Sequence, residues 1–455
     1  MKIFVSNVYS VLKTKEKDLL KALGKKYSCK TPGYQFTPSY KRGSWNGEKE
    51  FFSSKTGKFG SGLLYSVIED LNYLERDFEI VDGRDALSLE DYALEGITYR
   101  PYQKYLIEEA LERKSCIIKA PTGSGKTLVM GGLLKALEGK KGIVFFNKKQ
   151  LLHQTYKFLT EHGVEVGVAF GDGVDIKDIT LCTIQSVDKI IMSHLEDSDF
   201  IMFDEIHEFA RGKLATKVLK SFPSASVRIG MTATPPTDKY SKLSLTSFLG
   251  KEIEYVTAEE LVSEGYLTPP SIQMIAMPDI EIDAYENQSY MEIYNDYIVE
   301  NDERNNMIAD IARNITGDKS KVLILTKNLK HAEALNKLLP GSFKLEGKDS
   351  LKDREDVLQS FVDAPGPSII IGTIIFQTGV DIPELTHLIN ARGLKSEIAT
   401  VQALGRTLRK HENKSKVFIY DFIDKAPYLG KHSVQRLRAY KSLNFEVDIH
   451  GIKKK

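Results

Sequence analysis

The sequence predicts an α/β protein: two parallel-sheet lobes in tandem behind a small basic α+β N-terminal domain. Three observations predict it. From Tyr99 onward, short apolar runs alternate with segments of helical spacing, the pattern of a parallel sheet flanked by helices. The alternation breaks at EGYLTPP (264–270), marked by Gly and Pro, and then resumes. The first 60 residues differ in composition, with 13 Lys/Arg against 4 Asp/Glu. A chain of 455 residues is too long for one core when domains run to roughly 100–200 residues. The expected divisions are 1–90, 91–265 and 266–455.

In the first lobe the expected strands are CIIKA (116–120), GIVFF (142–146), ITLCTI (179–184), FIMFD (200–204) and VRIGMTA (227–233). Helices are expected over TLVMGGLLKALEG (127–139) and from Lys149. The second lobe offers KVLILT (321–326), SIIIGT (368–373), LTHLINA (385–391) and KVFIYDF (416–422). Residues 1–30 read as a strand and then a lysine-rich helix at Lys13 to Lys26. Residues 31–62 read as turns and short strands, and helical spacing resumes from Gly62 to Leu74. Asp82 to Gly96 reads as an acidic connector, and the tail after Arg436 as a basic helix, a strand and a short stub.

Hydrophobic residues at 42% and charged residues at 27% fit an ordinary globular protein. No apolar run reaches the roughly 18 residues of a membrane span, so no membrane partner is expected. Charge interrupts the N-terminus too early for a secretory signal. Cys29, Cys116 and Cys182 are scattered and fit no zinc spacing; they suit a reducing cytoplasm. The net charge of +1 combines about +9 in residues 1–60 with about −8 elsewhere. Such a basic end fits a polyanion partner, and equally a solvated helix face.

APTGSGKT (120–127) follows an expected strand and opens an expected helix, the setting of a phosphate-binding loop. Pro121, Thr122, Gly123, Ser124 and Gly125 would wrap phosphate oxygens with backbone N–H groups. The helix N-terminus adds partial positive charge. Lys126 reaches the β- and γ-phosphates of ATP, and the Thr127 hydroxyl suits Mg²⁺. DEIH (204–207) ends an apolar strand, which puts its carboxylates at the sheet edge where α/β folds bind ligands. Asp204 suits Mg²⁺, and Glu205 suits a general base on water. In RPYQ (100–103), Arg100 precedes Gln103, whose amide matches an adenine edge or makes an ordinary surface amide.

Taken in order, these motifs resemble superfamily 2 helicases over about residues 97–425. The pattern is carried by RPYQ, APTGSGKT, FFNKKQLLHQ (145–154), TIQS (183–186), DEIH and TAT (232–234). The second lobe supplies VLILTKN (322–328), GTIIFQTGVDIPE (372–384) and QALGRTLRK (402–410). RGSWNGEKEFF (42–52) and GKFGSGLL (57–64) resemble the domain that precedes the motor in phage UvsW-type helicases, which remodel branched DNA.

The resemblance implies two RecA-like lobes with ATP between them. It makes Arg406 and Arg409 arginine fingers, places Gln402 near the attacking water, and puts Gly379 and Asp381 in the ATP site. It gives His207, Thr232 and Thr234 a coupling role; the third residue of DEIH departs from DEAH or DECH but bears no catalytic group. It implies nucleic-acid contacts at Asn147, Lys148, Gln185, Ser186 and the GDG turn (171–173) of the first lobe. In the second lobe it implies Thr326, Lys327, Asn328, Thr373 and Gln377. The aromatic and basic residues of 31–52, Arg42 and Trp45 among them, read either as stacking groups for DNA or as a small core.

The implied activity is an ATP-dependent DNA helicase or translocase on forks, Holliday junctions or R-loops, moving 3′-to-5′, in recombination, repair or replication. A monomer on DNA is expected, located in the cytoplasm, or the host cytoplasm for a phage protein. An ATP-gated clamp or annealing protein, or an RNA helicase, fits the same residues.

Overall fold

A computed structural model describes residues 1–84, 89–171, 173–187, 197–210, 213–278, 288–315, 317, 319–345, 351–373, 382–412 and 414–451. The chain forms two compact units, Met1–Ala120 with Gly125–Tyr255, and Pro121–Ser124 with Val256–Lys455. Two parallel-sheet α/β lobes are present, as the alternating pattern predicts.

The N-terminal residues build their own four-stranded sheet, in spatial order Lys58–Gly60, Tyr9–Lys13, Lys2–Val5, Glu79–Asp82. The single strand expected in residues 1–30 is therefore a hairpin, Lys2 opposite Lys13. The helix starts later than expected, at Lys17–Lys26, because Tyr9 to Lys13 is used by the sheet. Its Leu19, Leu20 and Leu23 join Ile3, Leu12, Phe52, Phe59, Val67 and Leu71 in one core, while its lysines line the outer face. The expected connector, Asp82 to Gly96, follows a strand, Glu79–Asp82, that pairs parallel with Lys2–Val5.

This small domain is not a separate bead. A Cβ on Gly60 would stand 2.1 Å from the Ser247 carbonyl oxygen, and one on Gly62 would stand 2.1 Å from that of Thr246. Two backbones meet there, which only glycine permits. Tyr240 and Leu243 of the helix Lys239–Leu249 pack on the N-terminal core, and Val8 packs on the core of the first lobe. Asn7 Nδ2 donates to the carbonyls of Pro223 and Ser224, both at 3.0 Å.

The first lobe holds an eight-stranded sheet in the order Gly173–Asp175, Gly167–Phe170, Ile179–Thr183, Gly142–Phe146, Phe200–Phe203, Val227–Thr232, Ser115–Lys119, Glu252–Ile253. All its pairings are parallel except the first. Its four central strands are buried along their whole length, which is why they read as continuous apolar runs.

The second lobe holds a seven-stranded parallel sheet in the order Phe343–Leu345, Ser368–Gly372, Lys321–Leu325, His387–Asn390, Val417–Ile423, Pro270–Ala276, Val447–His450. A buried polar cluster pins the helix Leu429–Lys441 to it. Arg436 Nε donates to both Asp421 carboxylate oxygens at 3.0 and 3.1 Å, and the Tyr440 hydroxyl donates to Asp421 at 2.7 Å. Arg304 reaches Asp424 at 3.3 Å with both side chains fully buried.

Candidate functional site

The strand order of the first lobe assembles the nucleotide motifs at one sheet edge. The strand Val227–Thr232 lies between Phe200–Phe203 and Ser115–Lys119. Thr232 therefore falls between DEIH, which follows one neighbour, and the phosphate loop, which follows the other. The register pairs Thr232 with Lys119, and Ala120 N–H donates to the Thr232 carbonyl at 3.0 Å.

The phosphate loop ends at Gly125, whose φ of +83° caps the helix Lys126–Ala136; Gly123 has φ +86°. Both values lie in the left-handed region that glycine tolerates. A Cβ on Gly125 would also stand 2.5 Å from Gln103 Nε2. Gln103 is buried, and its Oε1 accepts from Arg100 N–H at 2.9 Å. The side chain expected to meet adenine thus also buttresses the loop. Lys126 Nζ donates to the Ala120 carbonyl at 3.3 Å, and Thr127 is exposed at the first turn of the helix. The Thr122 hydroxyl oxygen is buried without a hydrogen-bond partner among the described residues.

Asp204 is held at the strand end by its N–H, which donates to the Phe145 carbonyl at 3.0 Å. Burial, with a smaller contribution from the Glu205 charge, pushes its carboxyl up to about 7, although the Lys126 charge opposes the rise. A carboxyl so placed gains from a cation beside it, so Asp204 and the Thr127 hydroxyl fit Mg²⁺ that arrives with nucleotide. Among the described residues, no cluster of three or more His, Cys, Asp or Glu side chains forms a resident metal site.

Glu205 adopts φ 47° and ψ 53°, a left-handed conformation uncommon outside glycine and worth about 1–3 kcal/mol of strain. The turn starts the short 3₁₀ helix Ile206–Phe209 and holds Glu205 within a polar cluster. The Thr232 hydroxyl donates to Glu205 Oε2 at 3.4 Å. His207 Nδ1 lies 2.8 Å from the same hydroxyl and 3.3 Å from Glu205 Oε2. Thr234 N–H donates to Thr232 Oγ1 at 3.0 Å. The three coupling candidates therefore meet at the Thr232 hydroxyl, and two of them, His207 and Thr232, also reach the Glu205 carboxylate.

The cluster continues sideways through a residue that sequence reasoning does not single out. Glu208 accepts hydrogen bonds from Asn147 Nδ2 and from Lys148 Nζ, the latter at 3.3 Å. Gln185 Nε2 donates in turn to Asn147 Oδ1 at 3.3 Å. Only its position next to His207 marks Glu208 in the sequence. Ser186 behaves differently: it is buried, with its hydroxyl 2.8 Å from Thr183 Oγ1 and accepting from Gly171 N–H at 3.3 Å.

In the second unit, Gln402 and Arg406 lie on the helix Glu397–Thr407. Arg409 lies just beyond, where it pairs with Leu267. The four-residue spacing puts Gln402 and Arg406 on one side of that helix. Thr326 and Thr373 are buried. Asn328 caps the helix Leu329–Leu338 by accepting from His331 N–H at 3.0 Å. The Ser186, Thr326 and Thr373 side chains are therefore not surface groups, and the Thr326 N–H donates to the Gly372 carbonyl at 2.9 Å. Lys327 Nζ lies over the Tyr294 ring, 4.1 Å from its centroid. Asp172 of the GDG turn, Gln377, Gly379 and Asp381 lie outside the described residues.

The aromatics of 31–52 divide between the two readings. Phe51 and Phe52 are core residues, whereas Phe36 is 76% exposed and stands near exposed Tyr40, Lys41 and Arg42 in sequence. Trp45 is half-buried and donates to the Glu48 carbonyl at 2.8 Å.

Known proteins resemble the chain over both lobes. Residues 96–237 match the family described as "Type III restriction enzyme, res subunit", and residues 303–411 match "Helicase conserved C-terminal domain". The chain is 23% identical over 467 residues to "ATP-dependent DNA helicase uvsW" of Enterobacteria phage T4, covering 92% of this chain and 93% of that one. It is 22% identical to "DNA 3'-5' translocase XPB2" of Sulfurisphaera tokodaii, over 82% of this chain and 90% of that one. Among solved structures, the DNA-bound "ATP-dependent Type ISP restriction-modification enzyme LlaBIII" shares the fold, with a TM-score of 0.60 and 16% identity. That match covers 86% of this chain and 34% of that one.

Proposed function

We propose, for a chain that belongs to the superfamily 2 helicases and is an ATP-dependent helicase, that it acts on DNA, moves 3′-to-5′ and unwinds or branch-migrates forked and branched molecules. The observation that carries the motor reading is the placement of Thr232 between the phosphate-loop strand and the DEIH strand, with its hydroxyl bonded to Glu205. A group that contacts the base for hydrolysis is thereby tied to a strand that also borders the phosphate loop.

In this reading Lys126 and the loop N–H groups hold the β- and γ-phosphates, and Glu205 draws a proton from the attacking water. Mg²⁺ would be held by Asp204 and Thr127 and would supply charge neutralisation on the phosphate oxygens. Arg406 and Arg409 serve the transition-state charge from the second lobe, and Gln402 orients the water. Positioned arginines of this kind are worth about 10³–10⁵ in rate. His207 and Thr234 carry the state of Glu205 outward through Thr232.

The neighbouring strand ends offer DNA grips. Asn147, Lys148 and Gln185 cluster at strand ends of the first lobe, and Lys327 follows a strand of the second. Amide and ammonium groups bind phosphates without reading sequence. The basic segment 1–90, with exposed Phe36, Tyr40, Lys41 and Arg42, supports a second contact with the branch point. The relative named a 3′-5′ translocase supports the polarity.

The test is a substrate panel: ATPase stimulation and strand separation on single-stranded, duplex, forked and four-way DNA, and on matched RNA. Forked and four-way DNA should be processed fastest. Equal rates on plain tailed duplex, or faster work on RNA, would overturn the branched-DNA reading.

A further inference from the structure

The Asn147 amide and Lys148 ammonium, read above as DNA grips, already hold a carboxylate. Glu208 receives both. The pair is accessible, with Lys148 and Glu208 side chains 32% and 22% exposed. A phosphodiester carries the same unit negative charge and offers acceptor oxygens of the same kind. It would therefore compete for the same two donors.

Glu208 is also tied to the hydrolytic groups. Its N–H donates to the Glu205 carbonyl at 3.0 Å, and it shares the single turn Ile206–Phe209 with His207. Gln185, on the next strand end, steadies Asn147 through both its side-chain and backbone oxygens, at 3.3 and 3.4 Å.

We propose that Glu208 is an internal stand-in for DNA phosphate: a positioning residue that occupies Asn147 and Lys148 until a strand displaces it, which frees the turn bearing Glu205 and His207. The inference rests on the reading of Asn147 and Lys148 as DNA grips. It supplies a physical route by which DNA binding changes the hydrolytic cluster, because donors given to a phosphate no longer hold Glu208. The link is short, running over one loop and one turn of the same lobe.

The test uses the full-length protein and a fluorescent oligothymidylate, comparing wild type with E208Q, E208A and K148A. Binding is read by anisotropy, and ATPase is read with and without DNA. E208Q and E208A should bind DNA about two- to fivefold more tightly, the scale of one part-exposed ion pair. The DNA concentration for half-maximal ATPase should fall by the same factor, and the DNA-free rate should rise toward the stimulated one. A purely structural role would weaken binding and lower the stimulated rate instead.

K148A separates the two claims. If it binds DNA as wild type does, the grip reading fails and takes this proposal with it. If K148A weakens binding while E208Q and E208A leave affinity unchanged or lower, the grips stand and the competitor role is overturned. In the K148A background the gain from E208Q should shrink, because Asn147 alone is left to be freed.

Discussion

His207 Nδ1 lies 2.8 Å from the Thr232 hydroxyl, and that hydroxyl donates to Glu205 at 3.4 Å. One threonine thus joins the carboxylate proposed to activate water to the histidine that shares a turn with Glu208. Thr232 and His207 belong to different strand ends, so any motion of one strand end relative to the other changes both contacts at once.

Replacing His207 by alanine should therefore uncouple the motor. The base pairs separated per ATP hydrolysed should fall on the order of tenfold, the worth of about one hydrogen bond to a charged group. Parallel ATPase and strand-separation assays on forked DNA read this ratio. A proportional fall in both rates would assign His207 to hydrolysis alone.

The Asp204 carboxyl makes Mg²⁺ use depend on pH. Its pKa is raised to about 7 by burial, so it is mostly protonated below that pH and ionised above it. A metal ligand must lose its proton first. The Mg²⁺ concentration for half-maximal ATPase should rise by on the order of tenfold from pH 8 to pH 6, as protons compete at a carboxyl of this pKa. A flat Mg²⁺ requirement over that window would remove Asp204 as the ligand.

The N-terminal domain should prove inseparable from the first lobe. At Gly60 the obstacle to a side chain is the Ser247 carbonyl, 2.1 Å from where a Cβ would stand. Backbone cannot yield as a flexible side chain can, so Gly60→Ala should cost about 1–3 kcal/mol. Urea unfolding measures it. Loss of the same size for an alanine at Gly96, whose Cβ would meet nothing, would show that steric contact is not the cause, although its φ of +70° adds some strain of its own. Removing residues 1–90 outright would strip cover from Tyr240 and Leu243, so single changes at Phe36 or Arg42 are the cleaner probe of DNA binding.

Much of this was legible in the sequence, and the exceptions have physical causes. GIVFF (142–146) and FIMFD (200–204) announced buried parallel strands because both faces are covered. Pro270–Ala276 did not, since it opens on proline and alternates Ser271 and Gln273 with Ile272 and Met274. It forms because Val417–Ile423 and Val447–His450 flank it, a contact between distant parts of the chain. Lys126, Asp204 and Glu205 were readable from motif spacing, and the strand order that inserts Thr232 between their strands was not. Composition could not say that Phe36 is exposed while Phe51 and Phe52 are core, because all three share one short segment. Glu208 was hidden for another reason: its partners Asn147 and Lys148 lie some sixty residues away, at 61 and 60 positions' separation.

The central claim is that hydrolysis at Glu205 drives strand separation, and Glu205→Gln tests it most directly. On forked DNA with saturating ATP, the variant should bind nucleotide and DNA but lose about 10²–10⁴ in ATPase rate, the usual contribution of a positioned base. Unwinding should vanish with it. A Glu205→Gln protein that still separates strands would contradict the account.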